Sequence, residues 1–208
     1  MISVALLYFE RRMMRKELVT LAQINNGMVS SGEATAAGIA RRELSEAVER
    51  GELSRIARGV YSLPDAWEDE FALAQHRFAR GVFSHETALY LHGLTDRAPD
   101  AMVMTFPRGY NTRNARDAGI DARTVSAGLY QAGSVEVRTP YGNAVAAYCP
   151  ERAICDLFRS TSSPDLQLAI PSIRAYLSSE GRNTVRLMEY ARLMKVEAKV
   201  RPYVEAML

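Results

Sequence analysis

Residues 30–51 read SSGEATAAGIARRELSEAVERG, and this stretch decides the fold of the first part of the chain. Ser30 followed three residues later by Glu33 has the spacing of a capping box, which begins a short helix. Gly38 then tolerates the unusual backbone angle that a tight turn needs. Helical periodicity resumes over residues 40–50. The stretch therefore predicts two short helices joined by a tight turn.

The apolar residues of this stretch stand at the positions where two crossed helices must pack. Ala34 is small, as is needed where the second helix crosses close above the first. Ile39 follows the turn and fills the gap between the helices. Leu44 and Val48 form an i, i+4 pair on one face of the second helix. Over about 20 residues this is the pattern of a helix-turn-helix.

The flanking segments complete a larger module. Helical periodicity over residues 16–26 predicts a helix before the motif. Two β-rich runs, at 53–57 and 60–63, surround Arg58-Gly59 and predict a hairpin. Three helices and a hairpin over residues 15–64 predict a winged helix-turn-helix.

The outward face of the helix at 40–50 carries the candidate base-reading residues. With about 100° per residue and Leu44 on the core face, Arg42, Ser45 and Glu46 point outward and Arg41 lies on the flank. In this fold the first residues of the second helix of the motif meet base edges in the major groove, and arginine can pair with guanine. Glu46 either reads cytosine amino groups or solvates the far end of the helix.

The predicted hairpin adds two further DNA-binding candidates, Arg55 and Arg58, and has no acidic residue. A wing of this kind lies against the phosphate backbone or in the minor groove, where arginine is favoured. The net charge of residues 15–64 is only +1, from seven basic and six acidic residues. The concentration of arginines at two places favours a double-stranded DNA partner, and a winged helix that contacts only proteins remains the alternative.

Residues 65–208 alternate helical and β-rich segments, which predicts a mixed α/β domain. The fold class is therefore α+β, with an N-terminal winged helix-turn-helix followed by a mixed α/β C-terminal domain. Residues 109–122 are polar and basic and are predicted to be a loop. Helices are predicted at 67–80, 84–92, 150–158, 166–177 and 185–199, and strands at 101–106, 134–138 and 143–148.

Residues 1–14 form a predicted N-terminal extension. Its apolar run at residues 2–9 is far shorter than the roughly 20 residues that span a bilayer, and no basic stretch precedes it as in a signal peptide. It is either a short helix or strand, or an untranslated stretch if the chain begins at Met13 or Met14. We expect no membrane association.

No residue pattern predicts catalysis, a cofactor or a metal site. His85 and His92 would lie about 10.5 Å apart along one helix, too far for one metal ion. Glu151, Arg152 and Asp156 are expected to form a salt-bridged structural cluster rather than a catalytic one. The two cysteines, Cys149 and Cys155, are expected to be buried free thiols of a reducing compartment.

The tail of the chain is basic. Residues 182–201 carry six basic residues and two glutamates, a net charge of +4 along one predicted helix. The segment is either a solvated helix face or a second electrostatic surface.

Several segments resemble one known family. Residues 28–39, 44–53 and 55–61 are similar to the N-terminal domain of AbiEi-type antitoxins of bacterial type IV toxin–antitoxin systems. The Arg-Gly-Val-Tyr sequence at residues 58–61 is the most specific part of the resemblance. Residues 91–94 and 150–157 are similar to segments of the family's C-terminal domain.

This resemblance implies a cytoplasmic, non-enzymatic autorepressor that binds inverted repeats in its own promoter. It also implies that the C-terminal domain counteracts a cognate nucleotidyltransferase-like toxin. Ala40 departs from the family, because similar sequences often have a capping serine there. The alternative function is a winged-helix interaction module fused to an enzyme-like domain.

Overall fold

The computed structural model describes residues 16–159 and 165–208, and the chain divides into two compact units. Unit 1 comprises residues 16–76 together with Tyr141–Asn143, and thus continues beyond the predicted domain end at residue 64. Unit 2 comprises Arg77–Pro140 and Ala144–Leu208. The predicted extension at residues 1–14 lies outside the described residues.

Three short helices begin unit 1. They are α1 (16–24), α2 (Ser31–Ala36) and α3 (Arg41–Glu49). The predicted capping box is confirmed, because Ser30 Oγ accepts from the backbone N–H of Glu33 at 3.1 Å. The Glu33 carboxylate in turn accepts from the Ser30 backbone N–H at 2.7 Å.

The sheet of unit 1 has the order β1-β3-β2, and both pairings are antiparallel. Its strands are β1 (Met28–Ser30), β2 (Ser54–Ala57) and β3 (Val60–Ser62), so the predicted hairpin is confirmed. β1 is a strand that the sequence pattern did not predict. Three residues are too few for a period, and β1 is defined by its pairing with β3, about 30 residues later in the chain.

The core of unit 1 is one buried cluster to which α1, α2 and α3 all contribute. Ala34, Ile39 and Leu44 are all buried there, as the helix-turn-helix pattern predicts, whereas Val48 is only partly buried. The other buried members are Leu18, Ala22, Val29, Ala47 and Leu53.

The helix predicted at residues 67–80 is shorter than expected. The observed helix α4 spans Glu70–Arg77, and Trp67 lies before it with 80% of its surface exposed. Asp69 Oδ1 accepts from the Ala72 backbone N–H at 3.0 Å, which fixes the start of the helix.

Unit 2 contains a mixed five-stranded sheet of order β6-β5-β4-β8-β7. The β5–β6 and β4–β8 pairs are parallel, whereas β4–β5 and β7–β8 are antiparallel. The strands are β4 (Val82–Phe83), β5 (Val103–Pro107), β6 (Asp121–Val125), β7 (Ser134–Arg138) and β8 (Ala144–Tyr148). The prediction of mixed helices and sheets is confirmed.

The helices of unit 2 correct two predictions. The predicted loop at 109–122 contains a short helix, α6, and the start of β6. The single helix predicted at 185–199 is two helices, because Lys195 adopts a φ of 59° and ends the first. The helices are α5 (His85–Leu91), α6 (Arg113–Asp117), α7 (Ala127–Gln131), α8 (Pro150–Leu157), α9 (Leu166–Ser178), α10 (Thr184–Leu193) and α11 (Glu197–Glu205).

A buried arginine organises the centre of unit 2. Arg152 on α8 is fully buried, and its Nε donates to Asp156 at 3.1 Å. Its Nη1 donates to the carbonyls of Leu129 and Ala132, and its guanidinium lies 4.1 Å from the ring centroid of Tyr148. A buried charge is tolerated only when it is paired and hydrogen-bonded in this way. The salt-bridged cluster predicted on this helix is therefore present.

Two histidines of unit 2 are held in their neutral form. His92 Nε2 donates to the Tyr148 carbonyl at 2.9 Å, because a carbonyl oxygen can only accept. His85 Nδ1 lies 3.0 Å from the Ser84 hydroxyl. Desolvation by burial lowers the pKa of both imidazoles below their ordinary value of 6.5. The two cysteines are buried and free, as predicted, and burial raises the pKa of both thiols.

These histidines predict a loss of stability in mild acid. Below pH 6.5 they bind protons in the unfolded chain before they do so in the folded one. The free energy of unfolding should therefore fall between pH 7.5 and 5.5, by at most about 1.4 kcal/mol per pH unit for each proton. Urea denaturation of the wild type, His92→Gln and the exposed-site control His76→Gln measures this. A weaker pH dependence is expected only in His92→Gln, and equal slopes in all three proteins would contradict the assignment.

Candidate nucleic-acid interface

The outward side of α3 carries three of the predicted DNA-binding residues. Arg41, Arg42 and Ser45 are exposed, and the Arg42 side chain is 72% exposed. The opposite side of the helix is closed, because Leu44 and Ala47 are buried in the core. The predicted division of α3 into a core face and an outward face is therefore observed.

The turn before α3 fixes where this helix begins. Gly38 adopts a φ of +79°, which favours glycine, and the Ile39 backbone N–H donates to the Ala34 carbonyl at 2.8 Å. The N-cap residue Ala40 has extended backbone angles but makes no side-chain cap bond. The first N–H groups of α3 thus have no side-chain acceptor, and the positive end of the helix dipole is available to an anion.

Glu46, the fourth candidate on α3, is engaged by neighbouring arginines. Its Oε1 accepts from Arg42 Nε at 2.6 Å, and its Oε2 lies 3.5 Å from Arg50 Nη1. The Glu46 side chain is only 20% exposed. Arg50 Nε also donates to Glu52 at 3.2 Å, so these charges alternate in sign.

The hairpin between β2 and β3 carries the other two candidates, Arg55 and Arg58, and both are exposed. Its turn is tied to α2, since the Gly59 carbonyl accepts from the Ser31 backbone N–H at 2.8 Å and from the Ser31 hydroxyl at 3.3 Å. Gly59 has a φ of +76°, and a Cβ added there would lie 3.2 Å from the Ser31 hydroxyl oxygen. The hairpin turn next to Arg58 is therefore held against the first residue of α2.

Sequence reasoning missed the contacts that hold these arginines in place. The Ser31–Gly59 hydrogen bonds join residues 28 positions apart, and no local pattern indicates them. The Arg42–Glu46–Arg50 series has i, i+4 spacing, which could have indicated ion pairs. Each of these residues also had an alternative role at the surface, so the spacing alone did not decide between them.

The basic tail of unit 2 is largely compensated by glutamates. Arg192 donates to Glu197 at 3.2 Å, and Arg201 contacts both Glu197 and Glu205. The hydrogen bond from Arg201 is the main reason why the pKa of Glu197 is lowered. Lys199 Nζ donates to the Phe158 carbonyl. The tail is therefore a set of surface ion pairs on α10 and α11, rather than one uniformly basic helix face.

Unit 2 also contains a cavity of about 590 Å³ whose lining carries both signs of charge. Arg123 lies 2.6 Å from Asp121, and Arg97 lies 3.4 Å from Asp100. These paired charges indicate no particular cofactor. Within the described residues, no cluster of histidine, cysteine, aspartate and glutamate could hold a metal ion. Among those same residues, no helix is long and apolar enough to cross a bilayer.

Comparisons with known proteins identify the sequence family of unit 1. Residues 16–64 match the profile of a family described as transcriptional regulator, AbiEi antitoxin, so the resemblance seen in the sequence is confirmed over this segment. No curated protein matches the chain.

One similar solved structure is the crystal structure of the RV2827C protein from Mycobacterium tuberculosis, with a TM-score of 0.51 and 14% sequence identity. The match covers 93% of this chain and 81% of the other. At this identity the likeness concerns the fold alone.

Proposed function

We propose that this protein, whose residues 16–64 belong to the AbiEi antitoxin family of transcriptional regulators, binds double-stranded DNA through that segment. In this proposal unit 1 is a winged helix-turn-helix, with α2 and α3 as the helix pair and the β2–β3 hairpin as the wing. The observation that carries the proposal is the exposed first turn of α3, with two adjacent arginines, opposite a fully buried core face.

Each candidate residue has a role in this mode of binding. Arg41, Arg42 and Ser45 approach base edges in the major groove, where arginine can pair with guanine and serine can contact a base or a phosphate. Arg55 and Arg58 contact phosphates or the minor groove from the hairpin. The unpaired N–H groups at the start of α3 favour a phosphate at the same place.

The regulatory target in this proposal is the promoter of the protein's own bacterial toxin–antitoxin operon. Binding to an inverted repeat requires two copies of unit 1, since the symmetry of such an operator mirrors that of the bound protein. Occupation of the promoter would repress transcription. The action takes place in the cytoplasm, where the DNA is.

Unit 2 has the antitoxin role in this proposal, and it counteracts a nucleotidyltransferase-like toxin encoded by the same operon. The proposal assigns no catalytic step to this chain. The buried Arg152–Asp156 pair is treated as part of the framework of unit 2, because both side chains are enclosed by it.

The arginines predict two different defects in DNA binding. Arg42→Ala should weaken binding by about 1–3 kcal/mol and relax the preference at one base pair, because a base contact is lost. Arg58→Ala should weaken binding to all duplexes and reduce the salt slope by about one, because a phosphate contact is lost. Fluorescence anisotropy with the promoter duplex over a salt series measures both.

Arg174→Ala is the matched control, since Arg174 is an exposed arginine on α9 of unit 2. It should bind like the wild type. Absence of salt-sensitive promoter binding by the wild type at micromolar protein would contradict DNA binding. It would favour a winged-helix interaction module fused to an enzyme-like domain.

The antitoxin role predicts rescue of growth. Expression of the adjacent nucleotidyltransferase-like gene should arrest a bacterial culture, and co-expression of this protein from an unrelated promoter should restore growth. Arg42→Ala should still rescue, because the toxin is then no longer under the control of the native operator. Failure of the folded wild-type protein to rescue would contradict the antitoxin half of the proposal.

A further inference from the structure

Glu46 lies on α3 between two arginines, one turn before it and one turn after it. We infer that Glu46 is a positioning residue for DNA recognition: it holds the Arg42 guanidinium in the orientation that reads a base and does not itself contact the duplex. This inference rests on the proposed DNA-binding function and assigns a role to a carboxylate on the DNA-facing helix.

The contacts of Glu46 favour this role over direct base reading. Each carboxylate oxygen faces a different arginine, Oε1 towards Arg42 Nε at 2.6 Å and Oε2 towards Arg50 Nη1 at 3.5 Å. The side chain of Glu46 is 20% exposed, whereas that of Arg42 is 72% exposed. The arginine therefore extends further into solvent than the carboxylate that holds it, and a groove would meet the arginine first.

The atom through which Arg42 is held determines what remains available. Only Nε is engaged with Glu46, which leaves the two terminal nitrogens of the guanidinium for another acceptor. Guanine presents O6 and N7 in the major groove as a matched pair of acceptors. A guanidinium plane fixed before binding loses less side-chain entropy when it docks.

Arg50 and Glu52 hold Glu46 in turn. Arg50 Nε donates to Glu52 at 3.2 Å, so Arg42, Glu46, Arg50 and Glu52 form a series of alternating charge. The negative charge of Glu46 is thereby compensated on both sides, which reduces its repulsion of phosphate. Glu49 differs, since it is exposed and no ion pair to it is found within the described residues.

Anisotropy with the promoter duplex, and with duplexes that carry single base-pair substitutions, tests the inference. Glu46→Ala should weaken binding about fivefold, equivalent to about 1 kcal/mol, and relax the preference at the base pair that Arg42→Ala affects. The double variant should bind no more weakly than Arg42→Ala alone. Glu46→Gln keeps one acceptor oxygen for Arg42 and should recover part of the loss. The matched control Glu49→Ala should bind as well as the wild type or better.

Nuclear magnetic resonance of the free protein provides a second measurement that needs no DNA. The Arg42 Nε–H signal should shift in Glu46→Ala and stay unchanged in Glu49→Ala. Circular dichroism checks that all variants are folded, which is expected for substitutions on the outer side of α3.

Three results would overturn the inference alone while wild-type promoter binding persists. These are a change of preference at a different base pair that is additive with Arg42→Ala, tighter binding by Glu46→Ala, and an unchanged Arg42 Nε–H signal. Absence of promoter binding by the wild type would instead overturn the proposed function, and the inference would fall with it.

Discussion

The close packing of α3 on α2 is the constraint on which the rest of unit 1 depends. Ala34, Ile39 and Leu44 lie in one buried cluster, and the Ile39 backbone N–H closes the turn onto the Ala34 carbonyl. A larger side chain at position 34 would have to displace this packing, since overpacking a dense core costs about 1–3 kcal/mol. Because the core face of α3 is committed to this cluster, its remaining surface is the side that carries Arg41 and Arg42.

Recognition in this account depends on holding long, charged side chains at fixed places with short-range contacts. Arg42 is held by a carboxylate on its own helix, and the turn beside Arg58 is held by Ser31 at the start of α2. Both contacts limit the freedom that an exposed arginine would otherwise lose on binding DNA. The weak net charge of the segment is consistent with this arrangement, since the arginines act by position rather than by number.

The sequence predicted features that depend on neighbouring residues, and it failed where distant residues decide. The capping box, the hairpin and the buried face of α3 follow from spacings of two to four residues. β1 exists only through its pairing with β3, and α6 with the start of β6 lies in a polar segment without an apolar period. The break at Lys195 was missed because no glycine or proline marks it. The candidate residues were identified, but their partners were not.

A titration of the isotopically labelled full chain with its own promoter duplex, followed by amide chemical shifts, tests the central claim most directly. The account predicts that the largest changes fall at residues 41–46, at the start of α3, and at residues 55–59 of the hairpin. Changes confined to unit 2, or changes that spare both of these segments while DNA is bound, would contradict it.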